Sequence, residues 1–455
     1  MKRLLYQWIK ANSSMFINAG SLVATTAVTA VLGFVYWWLA AREFTPETVG
    51  FASAAISAMT LLGSICVLGF GTLLIGELPR HPGKEMSLIS AALILVGVVG
   101  GCAGIVYPAV APLISSDFQP LRANIEDILL FAAGVSLTAI TLVVDQALIG
   151  VLRGELQFWR NTLFAIVKLI ALFMVGLWLS HTVGLTIYTT WTIGNALSLV
   201  ALAAFMIWKK GWSGRSYLPH WGLLRKLKVA AIKHHMLNLI LQVPTLVLPI
   251  LVTIMLSVKA NAWFYVAWTI TSFVSVGTRA LTTVLYAISS AERNTLPHKA
   301  RLVLGFAFIT CLLANCVLQL GSSQILELFG HTYAEEASWC LRILSLAAFP
   351  FIIKSLYIAI CRVENRLVSA MLFLTVCGLF ELVFVTTGAH LAGLIGLSLG
   401  WLIAVCIEAI FMFSTVYKVI RFTGTQQDAS TQTATQPDYV EQNVLISAVS
   451  KRQDS

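Results

Sequence analysis

What most constrains this chain is a succession of apolar runs, each long enough to cross a lipid bilayer, separated by short segments that hold most of the charge. A hydrocarbon core about 30 Å thick needs about 20 helical residues at a rise of about 1.5 Å each. Runs of this kind cover residues 14–41, 47–76, 86–114, 125–151, 161–180 and 184–208, then 230–256, 261–289, 302–321, 338–361, 367–388 and 390–417. They do not alternate at every second residue, so helices rather than a closed barrel satisfy the backbone within lipid. The predicted fold class is an all-α integral membrane protein with twelve transmembrane helices. Composition agrees. Hydrophobic residues make up 58% of the chain and charged residues 11%, where a soluble domain carries about 25% charged.

The loop charges predict an orientation. With the N-terminus inside, twenty Lys and Arg fall in inner loops and ends, and three, Arg42, Arg122 and Lys259, fall outside. Short cytoplasmic loops carry the excess of Lys and Arg, so both termini are predicted to be cytoplasmic. No scheme of eleven or thirteen spans keeps every loop on its preferred side. The same count accounts for the net charge of +10: the cations lie beside an anionic leaflet, and a nucleic-acid partner has no support. Membrane lipids are the partners it implies.

The most basic internal loop divides the chain into six spans on either side. Residues 1–13 read as a cytoplasmic interfacial segment, with Leu4, Leu5, Trp8 and Ile9 beside Lys2, Arg3 and Lys10. Residues 14–208 form an N-terminal six-helix bundle, 209–229 a basic cytoplasmic linker, and 230–420 a C-terminal six-helix bundle. Residues 421–455 are rich in Gln, Thr, Ser and Asp and read as a disordered cytoplasmic tail. An even number of spans per half makes the halves parallel repeats. Traces of duplication survive: Arg153-Gly154-Glu155 matches Arg362-Val363-Glu364 at an offset of 209, and Phe51-Ala52-Ser53-Ala54 matches Phe264-Tyr265-Val266-Ala267 at 213. The eight cysteines include no CxxC pair and lie in or beside apolar runs, so they read as small packing residues, with no metal or other cofactor expected.

Ionisable residues inside spans cost about 2.5–3.5 kcal/mol each by insertion scales, so each needs a reason. Asp145 lies eight residues before Arg153 and Lys168 eight residues after Arg160. Both then stand about 12 Å from the inner end of their helix, and adjacent antiparallel helices would pair them. A structural ion pair and a proton or substrate relay are both open readings. The second half exchanges the signs. Lys354 lies 209 residues after Asp145, and Glu381 or Glu408 is its expected partner. Arg279 has no depth-matched acid in a sequence-adjacent span. At the inner mouth of the seventh span, Lys233, His234, His235 and Asn238 read either as interfacial residues or as a site admitting phosphate or sugar hydroxyls. Pro244 and Pro249 in the same span predict a bend that is a static kink or a gate.

Several stretches resemble one family. Leu39-Ala40-Ala41-Arg42-Glu43-Phe44-Thr45-Pro46-Glu47-Thr48-Val49-Gly50 is similar to the first hairpin of bacterial polysaccharide exporters and oligosaccharide flippases. Asp145-Gln146-Ala147-Leu148-Ile149-Gly150, Trp159-Arg160-Asn161, Phe329-Gly330-His331-Thr332-Tyr333-Ala334 and Gly393-Leu394-Ile395-Gly396 follow in the same order. The likeness covers about residues 14–420 and implies the multidrug/oligosaccharidyl-lipid/polysaccharide (MOP) exporter superfamily, in its polysaccharide-transport branch. It implies two six-helix bundles around a central cavity lined by spans one, two, seven and eight. The implied cargo is a polyprenyl-diphosphate-linked oligosaccharide moved outward across the plasma membrane by alternating access, with glycosyltransferases and a glycan polymerase as pathway partners. In that setting Arg279 is the candidate diphosphate ligand, since a guanidinium presents a fork suited to phosphate. Spans one and two carry charge only at their outer junction, unlike the lipid II flippase branch, which has arginines in this region. A drug exporter of the same superfamily and an integral-membrane glycan polymerase or transferase are the alternatives. The short outer loops disfavour an enzyme.

Overall fold

A backbone in lipid must satisfy its own donors and acceptors, and the apolar runs accordingly form helices. The computed structural model describes residues 13–78, 81, 83–178, 185–210, 221–291, 296–364 and 366–421. The first part of the chain forms α1 (Ser13–Glu43), α2 (Pro46–Cys66), α3 (Phe70–Glu77), α4 (Glu85–Ile114), α5 (Ile125–Gly150), α6 (Gly154–Trp178) and α7 (Leu185–Lys210). The second part forms α8 (Trp221–Met255), α9 (Val258–Ala291), α10 (Leu296–Glu327), α11 (His331–Leu346), α12 (Ala348–Val363) and α13 (Leu367–Arg421). Among the described residues, ten helical segments are long and apolar enough to cross a membrane, as expected of a multi-pass membrane protein. Of the expected interfacial segment (1–13) and tail (421–455), residues 1–12 and 422–455 lie outside the described residues.

Punctuation in the sequence sets the joints. Thr45 caps α2, its hydroxyl accepting from the Thr48 N–H at 3.3 Å, and Pro46 fills the first turn, where its missing donor costs nothing. Asn124 and Asp127 form a capping box at α5. The second apolar run does not continue to residue 76 as one helix. Leu68 and Gly69 take positive φ values of 50° and 80° and separate α2 from α3. The run at 338–361 divides at Ala347, between α11 and α12. In α13, Ala392 and Gly393 leave helical geometry, Gly393 at φ 56°, and the chain reverses there. Beyond the reversal, a Cβ on Gly400 would lie 2.2 Å from the Phe384 carbonyl oxygen, so the two arms approach backbone to backbone. Residues 221–229 of the expected linker are the first turns of α8, which continues through Pro244 and Pro249 as one helix.

The largest buried cluster unites the two halves: Tyr36, Phe51 and Phe131 pack in one core with Phe264, Phe329 and Trp401. Helices α2 and α9 form its seam. They approach so closely at Gly50 that a Cβ there would lie 1.8 Å from the Val258 carbonyl oxygen. Asn261 donates across this seam to the Gly50 carbonyl at 2.8 Å and to Ser53 Oγ at 2.9 Å. Large apolar side chains such as Leu113, Phe306, Leu320, Leu391 and Phe411 stay exposed on the opposite faces, a surface that only lipid or another apolar partner can cover.

Candidate functional site

Two of the cavities between the helices are lined by described residues that bear on the site. One of about 410 Å³ is lined by one face each of α1, α6 and α9 with Trp191 of α7. The helical spacing of Thr29, Gly33 and Trp37, of Asn161 and Lys168, and of Tyr265, Trp268, Ser272, Val276 and Arg279 puts each set on one stripe. The other cavity, of about 360 Å³, is lined from α8, α9, α12 and α13 and includes Lys354, Arg362, Glu381 and Trp401. Arg279 lines both. Its guanidinium carbon stands 5.1 Å from the Phe351 ring centroid, and no salt bridge is found for it among the described residues. Polar threonines of α9 do not relieve it: Thr282 and Thr283 donate to the Arg279 carbonyl, not to its side chain.

The expected pairing of Asp145 with Lys168 is corrected. Asp145 holds Arg160 through a fork, Nε to Oδ1 at 2.8 Å and Nη2 to Oδ2 at 2.6 Å, and Asn161 donates to the same carboxylate at 3.1 Å. The reason is where α6 begins. Its first residue is Gly154, not the region of Arg160, so Arg160 lies about 9 Å into the helix, level with Asp145 about 8 Å from the end of α5. Arg160 is therefore an intramembrane residue rather than a loop cation. Lys168 stands about 12 Å deeper in a cage of rings: its Nζ is 3.7 Å from the Trp191 centroid, 4.7 Å from Tyr36 and 4.8 Å from Phe164. The cage was not read from the sequence, because its rings come from three helices.

Lys354 takes both of its candidate partners rather than one. Its Nζ is 2.6 Å from Glu381 Oε1 and 2.8 Å from Glu408 Oε2, and Trp401 Nε1 donates to Glu381 Oε2 at 3.2 Å. The reversal at Gly393 brings the two arms of α13 side by side and so delivers both carboxylates to one ammonium. At the inner mouth, His235 Nε2 donates to the Ile65 carbonyl at 3.2 Å, and Asn238 donates to Thr72 Oγ1 at 3.0 Å. Ser64 donates to Gln242 at 3.2 Å, adding a third contact on the same stripe of α8. These groups stitch α8 to α2 and α3 and are not free to receive a ligand in this arrangement. The side chains of Lys233 and His234 lie outside the described residues. On the opposite side, Trp38 Nε1 donates to the Leu328 carbonyl at 2.9 Å.

The family model for polysaccharide biosynthesis proteins matches residues 16–291. None of the curated proteins matches the chain. Solved structures share its fold. A lipid II flippase MurJ in an inward closed conformation is similar with a TM-score of 0.66 and 15% identity, covering 87% of this chain and 89% of that one. An inward-facing multidrug resistance MATE family transporter of the MOP superfamily gives 0.64 and 15%, covering 89% and 100%. A MOP superfamily transporter from Pyrococcus furiosus gives 0.61 and 13%, covering 90% and 95%. At these identities the likeness concerns the fold.

Proposed function

Because the chain belongs to the polysaccharide biosynthesis protein family of the MOP superfamily, we propose that it is a flippase moving a polyprenyl-diphosphate-linked oligosaccharide outward across the plasma membrane. The observation that carries this reading is Arg279, a cation with no salt bridge among the described residues, standing where two cavities meet. An unpaired cation within the bilayer is costly and persists where it has work to do. A diphosphate offers it a bidentate, charge-assisted partner. The aromatic rings of the larger cavity, Trp37, Tyr265 and Trp268 among them, give apolar faces for the sugar portion, while the lipid tail stays in the bilayer.

The topology proposed with it has twelve spans, two six-helix bundles and both termini in the cytoplasm. The ten candidate segments become twelve when α9 is added and the two arms of α13 are counted separately. Helix α9 falls outside the ten because it carries Asn261, a series of threonines and serines, and Arg279, the composition of a cavity wall. Alternating access would break the α8 contacts at the inner mouth and the Asn261 and Trp38 contacts at the outer side in turn. No covalent chemistry is assigned to the chain.

The test is reconstitution of the full chain in liposomes with a fluorescent lipid-linked sugar. Transbilayer movement with the sugar lipid chemically unchanged is the expected result, lost in Arg279→Ala at normal expression and insertion. Covalent transfer of the sugar, or full movement by the variant, would overturn the reading.

A further inference from the structure

We propose that Lys354, Glu381 and Glu408 form a proton-binding site in the wall of the smaller cavity, the two carboxylates holding one proton between them. The site consists of one ammonium and two carboxylates at 2.6 and 2.8 Å. Their side chains are buried, Glu381 at 4% exposure and Glu408 at 3%. With both acids ionised the cluster would carry an uncompensated negative charge away from bulk water, and a buried charge without a partner is expensive. Two carboxylates that share one ammonium repel each other unless one of them carries a proton. One proton makes the cluster neutral.

The hydrogen bonds favour one side of the pair. Glu381 receives Lys354 on Oε1 and Trp401 on Oε2, so each oxygen of its carboxylate has a donor. Glu408 receives Lys354 on Oε2 alone, and its Oε1 is buried with no partner among the described residues. An ionised Glu408 would leave that oxygen bare, whereas a protonated one loses less by it. The proton therefore resides chiefly on Glu408.

The surroundings do not supply the missing charge at hydrogen-bonding distance. Cys377, one turn before Glu381 on α13, is neutral as a thiol. Arg279 of α9 and Arg362 of α12 line the same cavity and form no salt bridge to either acid among the described residues. From α8 the lining offers neutral Gln242 and Thr245. Arg301 of α10 is bonded to the Ile420 carbonyl and Arg342 of α11 to Ser322. Lys354 and Glu381 line the cavity, which is the route by which a proton reaches and leaves the cluster.

The inference does not depend on the identity of the cargo, because the probe is the proton itself. Infrared difference spectra of the purified full chain in micelles, between acidic and alkaline buffer, read the carboxylic C=O stretch directly. Wild type is expected to show a band that is lost on alkalinisation and shifts in heavy water. Glu408→Gln removes it, because Glu381 then matches Lys354 one to one. Glu381→Gln removes it equally, because Glu408 is then matched, and it carries the test alone if the first variant does not fold. Lys354→Met strengthens the band. A wild type without such a band, or a band that survives both Glu→Gln substitutions unchanged, would overturn the proposal.

Discussion

The ammonium of Lys168 stands 3.7 Å from the centroid of the Trp191 ring and has no carboxylate partner among the described residues. Its stabilisation comes instead from three ring faces, with Tyr36 and Phe164 completing the enclosure. A desolvated cation–π contact contributes about 2 kcal/mol or more. Trp191→Leu should therefore lower the melting temperature in detergent, by an amount equivalent to about 2 kcal/mol. Lys168→Met keeps the chain length and removes the charge, so it should melt no lower than wild type. Because Lys168 also lines the larger cavity, its loss should slow transport of an anionic cargo about tenfold, equivalent to about 1.4 kcal/mol. Normal transport by that variant would restrict Lys168 to a structural role.

Asp145 and Arg160 should behave in the opposite way. Their fork is buried, with side-chain exposures of 14% and 3%. Removing one partner strands the other charge, at a cost of about 3–5 kcal/mol. Arg160→Met and Asp145→Asn should each give low yields and early unfolding, whereas the double substitution should recover much of the loss. Thermal unfolding of the four proteins in one detergent checks this. Equal losses in single and double variants would show that the pair does not act as a unit.

That the chain forms many membrane-length helices was legible because burial in lipid demands long apolar runs, and such runs are visible residue by residue. The partners of the buried charges were legible only where depth could be counted from the right helix end. Lys354 and its two acids were within reach of that counting. Depth counted from Arg160 pairs Asp145 with Lys168, but α6 begins six residues earlier, at Gly154. Those six residues, about 1.7 turns, decide which cation meets the carboxylate. Arg279 stood out by having no acid in an adjacent span, a property of the sequence itself. Of the rings around Lys168 only Phe164, four residues earlier on α6, is a local neighbour; Tyr36 and Trp191, and the stitching of His235 and Asn238 to the other half, are contacts between distant segments, which no local pattern encodes. Pro108 and Pro112 of α4 likewise leave no break, and both lie inside a continuous helix.

The seam between α2 and α9 makes a demand on glycine. A Cβ at position 50 would lie 1.8 Å from the Val258 carbonyl oxygen and 3.1 Å from the Ala262 nitrogen, backbone atoms that cannot swing aside. Gly50→Ala must push the helices apart and weaken the Asn261 bonds at 2.8 and 2.9 Å. Overpacking of this kind costs about 1–3 kcal/mol. The variant should unfold earlier and label faster with a membrane-impermeant thiol reagent at a cysteine placed at Ser53. Unchanged labelling and stability would mean that the seam yields without opening.

The stitch at the inner mouth predicts a lock. Asn238 and Thr72 meet across the halves at 3.0 Å, with His235 to Ile65 and Ser64 to Gln242 alongside. If cargo enters from the cytoplasm, these contacts must part once in each cycle. Cysteines at positions 72 and 238, joined by a short thiol crosslinker, should hold the mouth shut and stop transport, and cleavage of the linker should restore it. Asn238→Ala and His235→Ala should do the reverse. Each removes a net contribution of about 1 kcal/mol from the closed form, which shifts the balance toward the open one about fivefold. Faster alkylation of a single cysteine at position 242 would report that shift. Undiminished transport by the crosslinked protein would show that cargo takes a path that does not run between α8 and α3.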